Sequence, residues 1–242
     1  MKKIITLTLA LVVAATVSAQ WKKVKGNGKV VTIDRTTSDY DDIAVAGWFD
    51  VELVAGTEGR LKIKGEENLL EYIKTEVKDG KLIIKVRNGV NLKPSSWGKD
   101  GGIYVTVPVE EISSVSLSGS GDIVGKTAIK TDSFSTQIAG SGDITLEVEA
   151  ESVEAALSGS GDINLSGKAS SFDVRVSGSG DVKAYELNAN KVEVSISGSA
   201  DVRVTANEML YARVSGSGDI HYRGNPSKID SKASGSGDIS KG

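Results

Sequence analysis

Apolar and polar residues alternate along the second half of the chain, between short glycine-rich turns. In residues 143–162, Ile144, Leu146 and Val148 fall on one face of an extended chain, with Thr and Glu between them on the other. After a corner at Glu151, the alternation of apolar and polar residues begins again. A period of two between turn signals predicts half-buried strands, two in each repeat.

The turn that separates these runs is a repeated Ser-Gly-Ser-Gly-Asp motif. Its closing aspartates are Asp122, Asp143, Asp162, Asp181, Asp201, Asp219 and Asp238. Because a repeat of about 19 residues is too short to bury its own apolar face, neighbouring copies must stack. The pattern predicts an all-β fold, a single-stranded right-handed parallel β-helix (β-solenoid) with two strands per coil and SGSGD turns.

The chain divides into a leader and a single domain. Residues 1–19 have a basic start, an apolar run and a Val-Ser-Ala end, which predicts a secretory signal peptide. Residues 20–38 are predicted to be an extended segment. Residues 39–242 are predicted to be one solenoid domain, with degenerate coils, a hairpin and a loop over 39–115 and regular coils over 116–242.

Several short motifs resemble one known family. They are FDVEL at 49–53, GEENLL at 65–70, TEVKDGKL at 75–82 and VTVP at 105–108, followed by the serial SGSGD turns. Over about residues 40–225 the chain resembles the head GIN-domain family of putative auto-transporter adhesins from Gram-negative bacteria. The resemblance implies a right-handed β-helix related in shape to pectin lyases, an adhesin role and no recognised catalytic residues.

Composition excludes several classes of function. The net charge is -3, and it becomes -5 without Lys2 and Lys3, which argues against a nucleic-acid partner and a polybasic membrane patch. With no Cys and one His, disulfides and Cys or His metal clusters are excluded. After the leader, no segment is long enough to be a transmembrane helix.

The SGSGD turns do not fit a nucleophile or a phosphate loop. A serine elbow needs a strand-to-helix turn and a histidine base, but His221 is the one histidine and alternation points it to solvent. A phosphate loop needs a helix behind its glycines, whereas Ile or Val opens a strand after each Asp. No catalytic residue and no cofactor is predicted.

The stacked aspartates leave two interpretations open. In the first, each carboxylate caps its turn by accepting N–H bonds from that same turn. In the second, the row of seven aspartates binds calcium, which would neutralise like charges about 5 Å apart.

The glycines are predicted to be structural, since sharp corners need positive φ and close stacking. These turn glycines are Gly119, Gly121, Gly140, Gly142, Gly159, Gly161, Gly178, Gly180, Gly198, Gly216, Gly218, Gly235 and Gly237. Ala200 replaces the second glycine once, and Ala139 replaces the first serine once. Those two positions therefore tolerate a change.

Aromatic and acidic side chains supply further candidates. Either Trp48 or Phe49 must be buried by alternation, and Trp97 in the polar loop is a candidate for a sugar or protein contact. A pectinase-like site would draw its carboxylates from separate coils. The outward acids that could contribute are Glu147, Glu149, Glu151, Glu154 and Glu193.

These observations favour an exported, non-catalytic envelope or surface protein of the adhesin type, with a glycan or protein ligand. The alternatives are a carbohydrate-active β-helix enzyme and a periplasmic structural or stress protein. The location is predicted to be the periplasm, the outer-membrane surface or the extracellular space. A strand begins again in residues 235–242, so an unpaired edge could support homo-oligomerisation.

Overall fold

The computed structural model describes residues 21–96 and 102–242 as an almost entirely β structure. The N-terminal elements are β1 Lys22–Lys25, β2 Val30–Thr36, β3 Asp42–Gly47, β4 Asp50–Ala55, β5 Arg60–Glu66, α1 Glu67–Leu70, β6 Ile73–Lys78, β7 Lys81–Val86, β8 Val90–Lys93 and β9 Tyr104–Val109. The remaining strands are β10 Ser114–Gly119, β11 Ile123–Gly125, β12 Ile129–Gly140, β13 Ile144–Gly159, β14 Ile163–Gly178, β15 Val182–Gly198, β16 Val202–Gly216, β17 Ile220–Arg223, β18 Lys228–Gly235 and β19 Ile239–Lys241.

The regular coils stack in parallel and in register. β13 pairs with β14 so that Ile144 lies opposite Ile163 and Gly159 opposite Gly178, a shift of 19 residues at both ends. Parallel pairing continues from β14 through β15 to β16, with register shifts at the bulges after Asn164, Ala184 and Ala189. The predicted β-solenoid is therefore confirmed.

Each regular coil is hydrogen-bonded along one long strand that contains two straight segments. In β13 the buried positions are even-numbered up to Val148 and odd-numbered from Val153 onward. This change of phase marks the second corner, because a bend rotates which side chains face inward. The two predicted strands of a coil are thus continuous through that corner.

The core lies between the two walls of the solenoid and consists of columns of stacked apolar residues. One column contains Ile144, Ile163, Val182, Val202 and Ile220, all fully buried. The opposite wall contributes Val153, Phe172, Val192 and Leu210. Each coil therefore completes the apolar core of its neighbours.

The N-terminal end of the core is closed by antiparallel strands. β5 pairs antiparallel with β2 and β9, while β6 and β7 form a hairpin whose turn is Asp79-Gly80. Both turn residues have positive φ, at 51° and 74°. Leu69 and Leu70 of α1 are buried beneath these strands. The segment predicted to be extended, residues 20–38, contains β1 and β2. β1 pairs with β8, and β2 pairs with β5.

The other end presents an exposed strand. β18 pairs on one side with β16, and each of its eight residues is exposed. Ile229 retains 47 % of its surface accessible to solvent. The backbone groups on the far side of β18 have no strand partner in the described part of the chain.

Candidate functional site

The SGSGD turns form one corner of the solenoid, and the N-terminal level supplies a further corner that the sequence analysis missed. β3 pairs with β10 so that Gly47 lies opposite Gly119. The run AGWFD at 46–50 therefore occupies the place of SGSGD. The available signal was its likeness to AGSGD at 139–143, with the same Ala-Gly start, the same closing Asp and an apolar residue next.

The two glycines of each corner have different roles. The first glycines have φ between 121° and 154°; they are Gly119, Gly140, Gly159, Gly178, Gly198, Gly216 and Gly235. At Gly159 an added Cβ would also lie 2.0 Å from the carbonyl oxygen of Gly140. The second position is Phe49 at one level and Ala200 at another. Only the first glycine needs a backbone conformation that other residues avoid.

The closing aspartates form a hydrogen-bonded ladder. At every step the main-chain N–H of one aspartate donates to Oδ1 of the aspartate in the preceding coil, at N···O distances from 2.7 to 3.2 Å. The ladder runs through Asp50, Asp122, Asp143, Asp162, Asp181, Asp201, Asp219 and Asp238. The carboxylates thus accept N–H groups from the next coil rather than from their own turn, which corrects the expectation of local capping.

Basic side chains compensate the middle of this ladder. Lys183 Nζ lies 2.6 Å from Oδ2 of Asp162, and the Arg203 guanidinium lies 3.8 Å from Asp181 and 3.7 Å from Asp201. Burial opposes ionisation of Asp162, but Lys183 and the Asp181 N–H outweigh it and lower its pKa. At Asp50 burial raises the pKa, helped by the charge of Asp122 and opposed by the Asp122 N–H.

The aspartate row gives no direct support to a calcium site. Within residues 21–96 and 102–242, no three acidic or histidine side chains converge as a metal-binding group. One oxygen of each aspartate from Asp50 to Asp219 already accepts a main-chain N–H. Calcium takes six to eight oxygen ligands, so a row with one carboxylate at each level would need many from water.

His221 and the outward acids are distributed over the surface. His221 is partly exposed, and its Nδ1 lies 3.0 Å from Oγ of Ser240 in the next coil. Glu149 forms an ion pair with Lys130 at 3.2 Å, while Glu147 and Glu151 are exposed.

Glu154 and Glu193 lie on either side of Asp173 in one column, an arrangement that the sequence analysis missed. Burial raises the pKa of Asp173, the charges of Glu193 and Glu154 add to the effect, and Arg175 opposes it.

A cleft beside the N-terminal corner brings two tryptophans together. Phe49 is buried and Trp48 half-buried, whereas 60 % of Trp21 is exposed. Trp21 and Trp48 line a cleft of about 320 Å³, which we call the Trp21 cleft; its polar lining residues are Lys85, Asn88 and Asn91. Trp97, the aromatic candidate from the sequence, lies outside the described residues.

A row of lysines continues from this cleft. Lys23 lies opposite Asn91, and Lys25 lies opposite Lys93, in the parallel pair of β1 and β8. We call the surface formed by Lys23, Lys25, Asn91 and Lys93 the lysine face. Alternation along the two strands puts these four side chains on the same side of the sheet, away from the buried Leu92.

A buried carboxylate fixes this small sheet to the solenoid. Glu66 is fully buried; its Oε2 accepts the N–H of Gly28 at 2.5 Å and its Oε1 accepts the N–H of Ser95 at 2.6 Å. Burial opposes ionisation of Glu66, but these two N–H groups outweigh it and lower its pKa. The ionised carboxylate therefore joins the segments that follow β1 and β8.

A second groove, of about 590 Å³, runs along the outer wall of the regular coils. It lies among stacked columns that contain Ala156, Arg175, Ser195 and Arg213, and it also contacts Lys232. Arg213 is already paired with Asp230 at 2.8 Å, and Arg175 with Asp173 at 2.8 Å. The cations of this groove are thus largely compensated.

The repeated corners and the distinct N-terminal level coincide with a family signature. A family model described as "Putative auto-transporter adhesin, head GIN domain" matches residues 39–226. The chain belongs to this family. The family resemblance inferred from the short motifs is thereby confirmed.

Solved structures share the fold of this head GIN domain. A putative adhesin from Bacteroides fragilis NCTC 9343 has a TM-score of 0.84 and 24% identity, covering 90% of this chain and 99% of its own. A protein described as a "Putative lipid binding protein", from Parabacteroides distasonis ATCC 8503, has a TM-score of 0.75 and 28% identity, covering 91% and 100%. A putative adhesin from Parabacteroides merdae ATCC 43184 has a TM-score of 0.70 and 22% identity, covering 91% and 99%.

Two further observations concern this head GIN domain. No curated protein sequence matches the chain. Among residues 21–96 and 102–242, no helix has the length and apolar character needed to cross a bilayer.

Proposed function

We propose that the protein is an exported, non-catalytic binding protein of the adhesin type, acting in the cell envelope or at its surface. The observation that carries the proposal is the display of like side chains on successive coils, within a family of adhesin description. Ser158, Ser177 and Ser197, for example, occupy the same outward position at consecutive levels. A rigid rod of this kind can engage several ligand groups at once, which raises avidity without new contacts.

Protease shaving of intact cells tests this proposal. We expect an epitope-tagged form of the protein to disappear from cells treated with a non-penetrating protease, while a periplasmic marker survives. Complete protection of the tag in cells that keep the marker, together with its loss after outer-membrane permeabilisation, would place the protein in the periplasm and contradict a surface adhesin.

Lipid binding is a second candidate. It is favoured by the groove along the outer wall, whose lining includes the apolar Leu157, Val176 and Ile196, and by the lipid-binding description of the relative from Parabacteroides distasonis. Titration with a fluorescent fatty acid tests it. Saturable binding that is weakened by Ala156→Glu, a change on the outer wall, would support this function, and no saturable binding would contradict it.

We also propose that the exposed strand β18 supports self-association. Two copies of β18 paired antiparallel about Ser231 would place Asp230 of each beside Lys232 of the other and Ile229 beside Ala233. Opposite charges directly across a strand pair are favourable. Light scattering should show a dimer that Ser231→Pro abolishes, because proline cannot donate to a ladder. A monomer at all concentrations would refute the pairing.

A further inference from the structure

The lysine face is basic although the protein as a whole is acidic. The net charge of the chain is -3. Lys23, Lys25 and Lys93 form no ion pair with any carboxylate of the described residues. Lys25 and Lys93 are also directly opposite each other across the strand pair. Like charges in that position destabilise a sheet, and an anionic ligand would relieve the repulsion.

The Trp21 cleft adds features that a purely electrostatic surface lacks. Its two indole rings provide apolar area, and the exposed Trp21 ring is available for contact with a ligand. Asn88 and Asn91 contribute amides, each of which can donate and accept hydrogen bonds. A recess with aromatic walls and a few amides suits a small ring with an apolar face and several hydroxyl groups.

The cleft and the lysine face form one continuous surface, because Asn91 belongs to both. Lys23 is its direct neighbour on β1, and Lys25 lies two residues further along that strand. At about 3.3 Å per residue, the path from Trp21 to Lys25 is about 13 Å long. A ligand that uses the whole surface must therefore be an oligomer with a ring in the cleft at one end and anionic groups along the rest.

We propose that the Trp21 cleft and the lysine face together bind an acidic oligosaccharide. One sugar ring lies against Trp21 and Trp48, with its hydroxyl groups at Asn88 and Asn91. Carboxylate or sulfate groups on the following sugars lie at Lys23, Lys25 and Lys93. This inference rests on the proposed adhesin function and names the ligand class of that function.

Other polyanions fit the surface less well. A nucleic acid or an anionic membrane would satisfy the lysines, but a membrane contact favours aromatic rings that project outward. Here Trp21 is exposed, but Trp48 is half-buried, and the two rings line a recess with Asn88 and Asn91 rather than an outward apolar face. The amide pair at Asn88 and Asn91 matches the hydroxyl groups of a sugar.

Calorimetric titration of the purified protein tests the proposal. The probes are a trimer of galacturonic acid, a sulfated trimer of the same length, the neutral galactose trimer, polyglutamate and vesicles that contain an anionic phospholipid. We expect saturable binding of at least one acidic trimer, weaker binding of the neutral trimer, and a decrease of affinity with added salt. Absence of binding to both acidic trimers would overturn the proposal. Equal or tighter binding of polyglutamate or of the vesicles would also overturn it, since charge alone would then suffice.

Two variants and a matched control locate the site. Trp21→Ala should reduce the affinity for the bound trimer about five- to tenfold through loss of the ring contact. The double variant Lys25→Gln with Lys93→Gln should reduce it by a similar factor and flatten its salt dependence. The double variant Lys168→Gln with Lys191→Gln removes the same charge from exposed positions of the regular coils, in β14 and β15, and should bind like the unchanged protein. An equal loss in this control would overturn the assignment.

The proposal of a surface adhesin and the proposal of an acidic-oligosaccharide site can be refuted independently. Binding of an acidic trimer by a protein that is protected from shaving would refute the surface adhesin and leave this site in place. Shaving of the protein from cells, together with no trimer binding, would refute this site and leave the adhesin function in place.

Discussion

The main-chain N–H of Asp122 donates to Oδ1 of Asp50 at 3.2 Å, although the two residues are 72 positions apart in the chain. This bond joins the N-terminal level to the regular coils and extends the aspartate ladder beyond the SGSGD repeats. The carboxylates therefore link successive coils, in addition to the parallel main-chain hydrogen bonds. The ladder also places negative charges next to each other. The basic side chains near each carboxylate therefore decide whether its charge stabilises or destabilises the folded protein.

Asp50→Asn and Asp162→Asn are expected to change stability in opposite directions at pH 7. Burial and the charge of Asp122 raise the pKa of Asp50, so its ionised form is disfavoured by folding. Asp162 has a lowered pKa because Lys183 and the Asp181 N–H outweigh burial. Asparagine keeps the Oδ1 acceptor of the ladder and replaces the charged Oδ2 by an NH₂ group, so the ladder hydrogen bond is retained while the charge is removed. Urea denaturation should show a gain for Asp50→Asn and a loss for Asp162→Asn, each below about 1 kcal/mol because both sites are partly exposed.

Measurement at acidic pH provides the control for the Asp50→Asn and Asp162→Asn variants. The unfavourable charge of Asp50 disappears as the pH falls through its raised folded pKa. The favourable charge of Asp162 is fully effective above the unfolded pKa of about 3.9, and its contribution is lost as the pH falls through its lowered folded pKa. Both differences from the unchanged protein should therefore shrink in acid. Effects of the same sign at pH 7 would contradict the assigned roles.

Gly159→Ala is expected to destabilise the protein more than Gly161→Ala. At Gly159 the backbone has φ of 142°, and a Cβ would lie 2.0 Å from the Gly140 carbonyl oxygen. Gly161 has the same close approach to Gly142, but the equivalent residue at another level is Ala200. The strained φ adds about 1–3 kcal/mol at the first position alone. Thermal melts of the two variants measure the difference in stability. Equal losses would show that the close approach of the stacked backbones, and not the value of φ, requires the glycines.

Glu66→Gln is expected to loosen the sheet of β1 and β8 while the solenoid remains folded. The glutamine NH₂ group would face the N–H of Gly28 or Ser95, so one buried acceptor becomes a donor. Loss of such a buried bond costs about 1–3 kcal/mol. Amide hydrogen exchange of Lys22–Lys25 should accelerate strongly, while exchange in β14 should stay slow.

The unchanged protein should show the same loosening in acid. Because the folded pKa of Glu66 is lowered, its contribution is complete above the unfolded pKa of about 4.3 and is lost as the pH falls through the folded value. Glu67→Gln is the matched control, since Glu67 is exposed and paired with Lys29 at 2.9 Å. If Glu67→Gln accelerates exchange in β1 equally, the buried Glu66 carboxylate is not the group that holds β1 and β8 to the solenoid.

The regular coils could be predicted from the sequence because one local rule recurs there. Alternation around Ile144 and the periodic aspartates specify both the strands and their stacking. The N-terminal level was harder to predict, since Phe49 replaces a glycine in its corner and the antiparallel strands join distant segments. The Trp21 cleft could not be predicted at all. It forms where β1 pairs with β8, and nothing in the spacing of Trp21 and Trp48 indicates that their side chains line one cleft.

Thr136→Val and Thr205→Val are expected to have opposite effects, although both threonines are buried. Thr136 lies in an inward column between Val115 and Ala155, and its hydroxyl has no hydrogen-bond partner among the described residues. Thr205 donates from Oγ1 to the carbonyl oxygen of Tyr185 at 2.7 Å. Valine has nearly the same shape as threonine but lacks the hydroxyl group.

Replacing Thr136 removes an unsatisfied buried polar group, so the free energy of unfolding should rise by about 1 kcal/mol. Replacing Thr205 leaves the Tyr185 carbonyl without its side-chain donor and should lower the free energy of unfolding by a similar amount. Urea denaturation of the two variants at pH 7 measures both changes. A loss of stability on Thr136→Val would mean that its hydroxyl is satisfied in solution, for example by a buried water, and that this inward column is not dry.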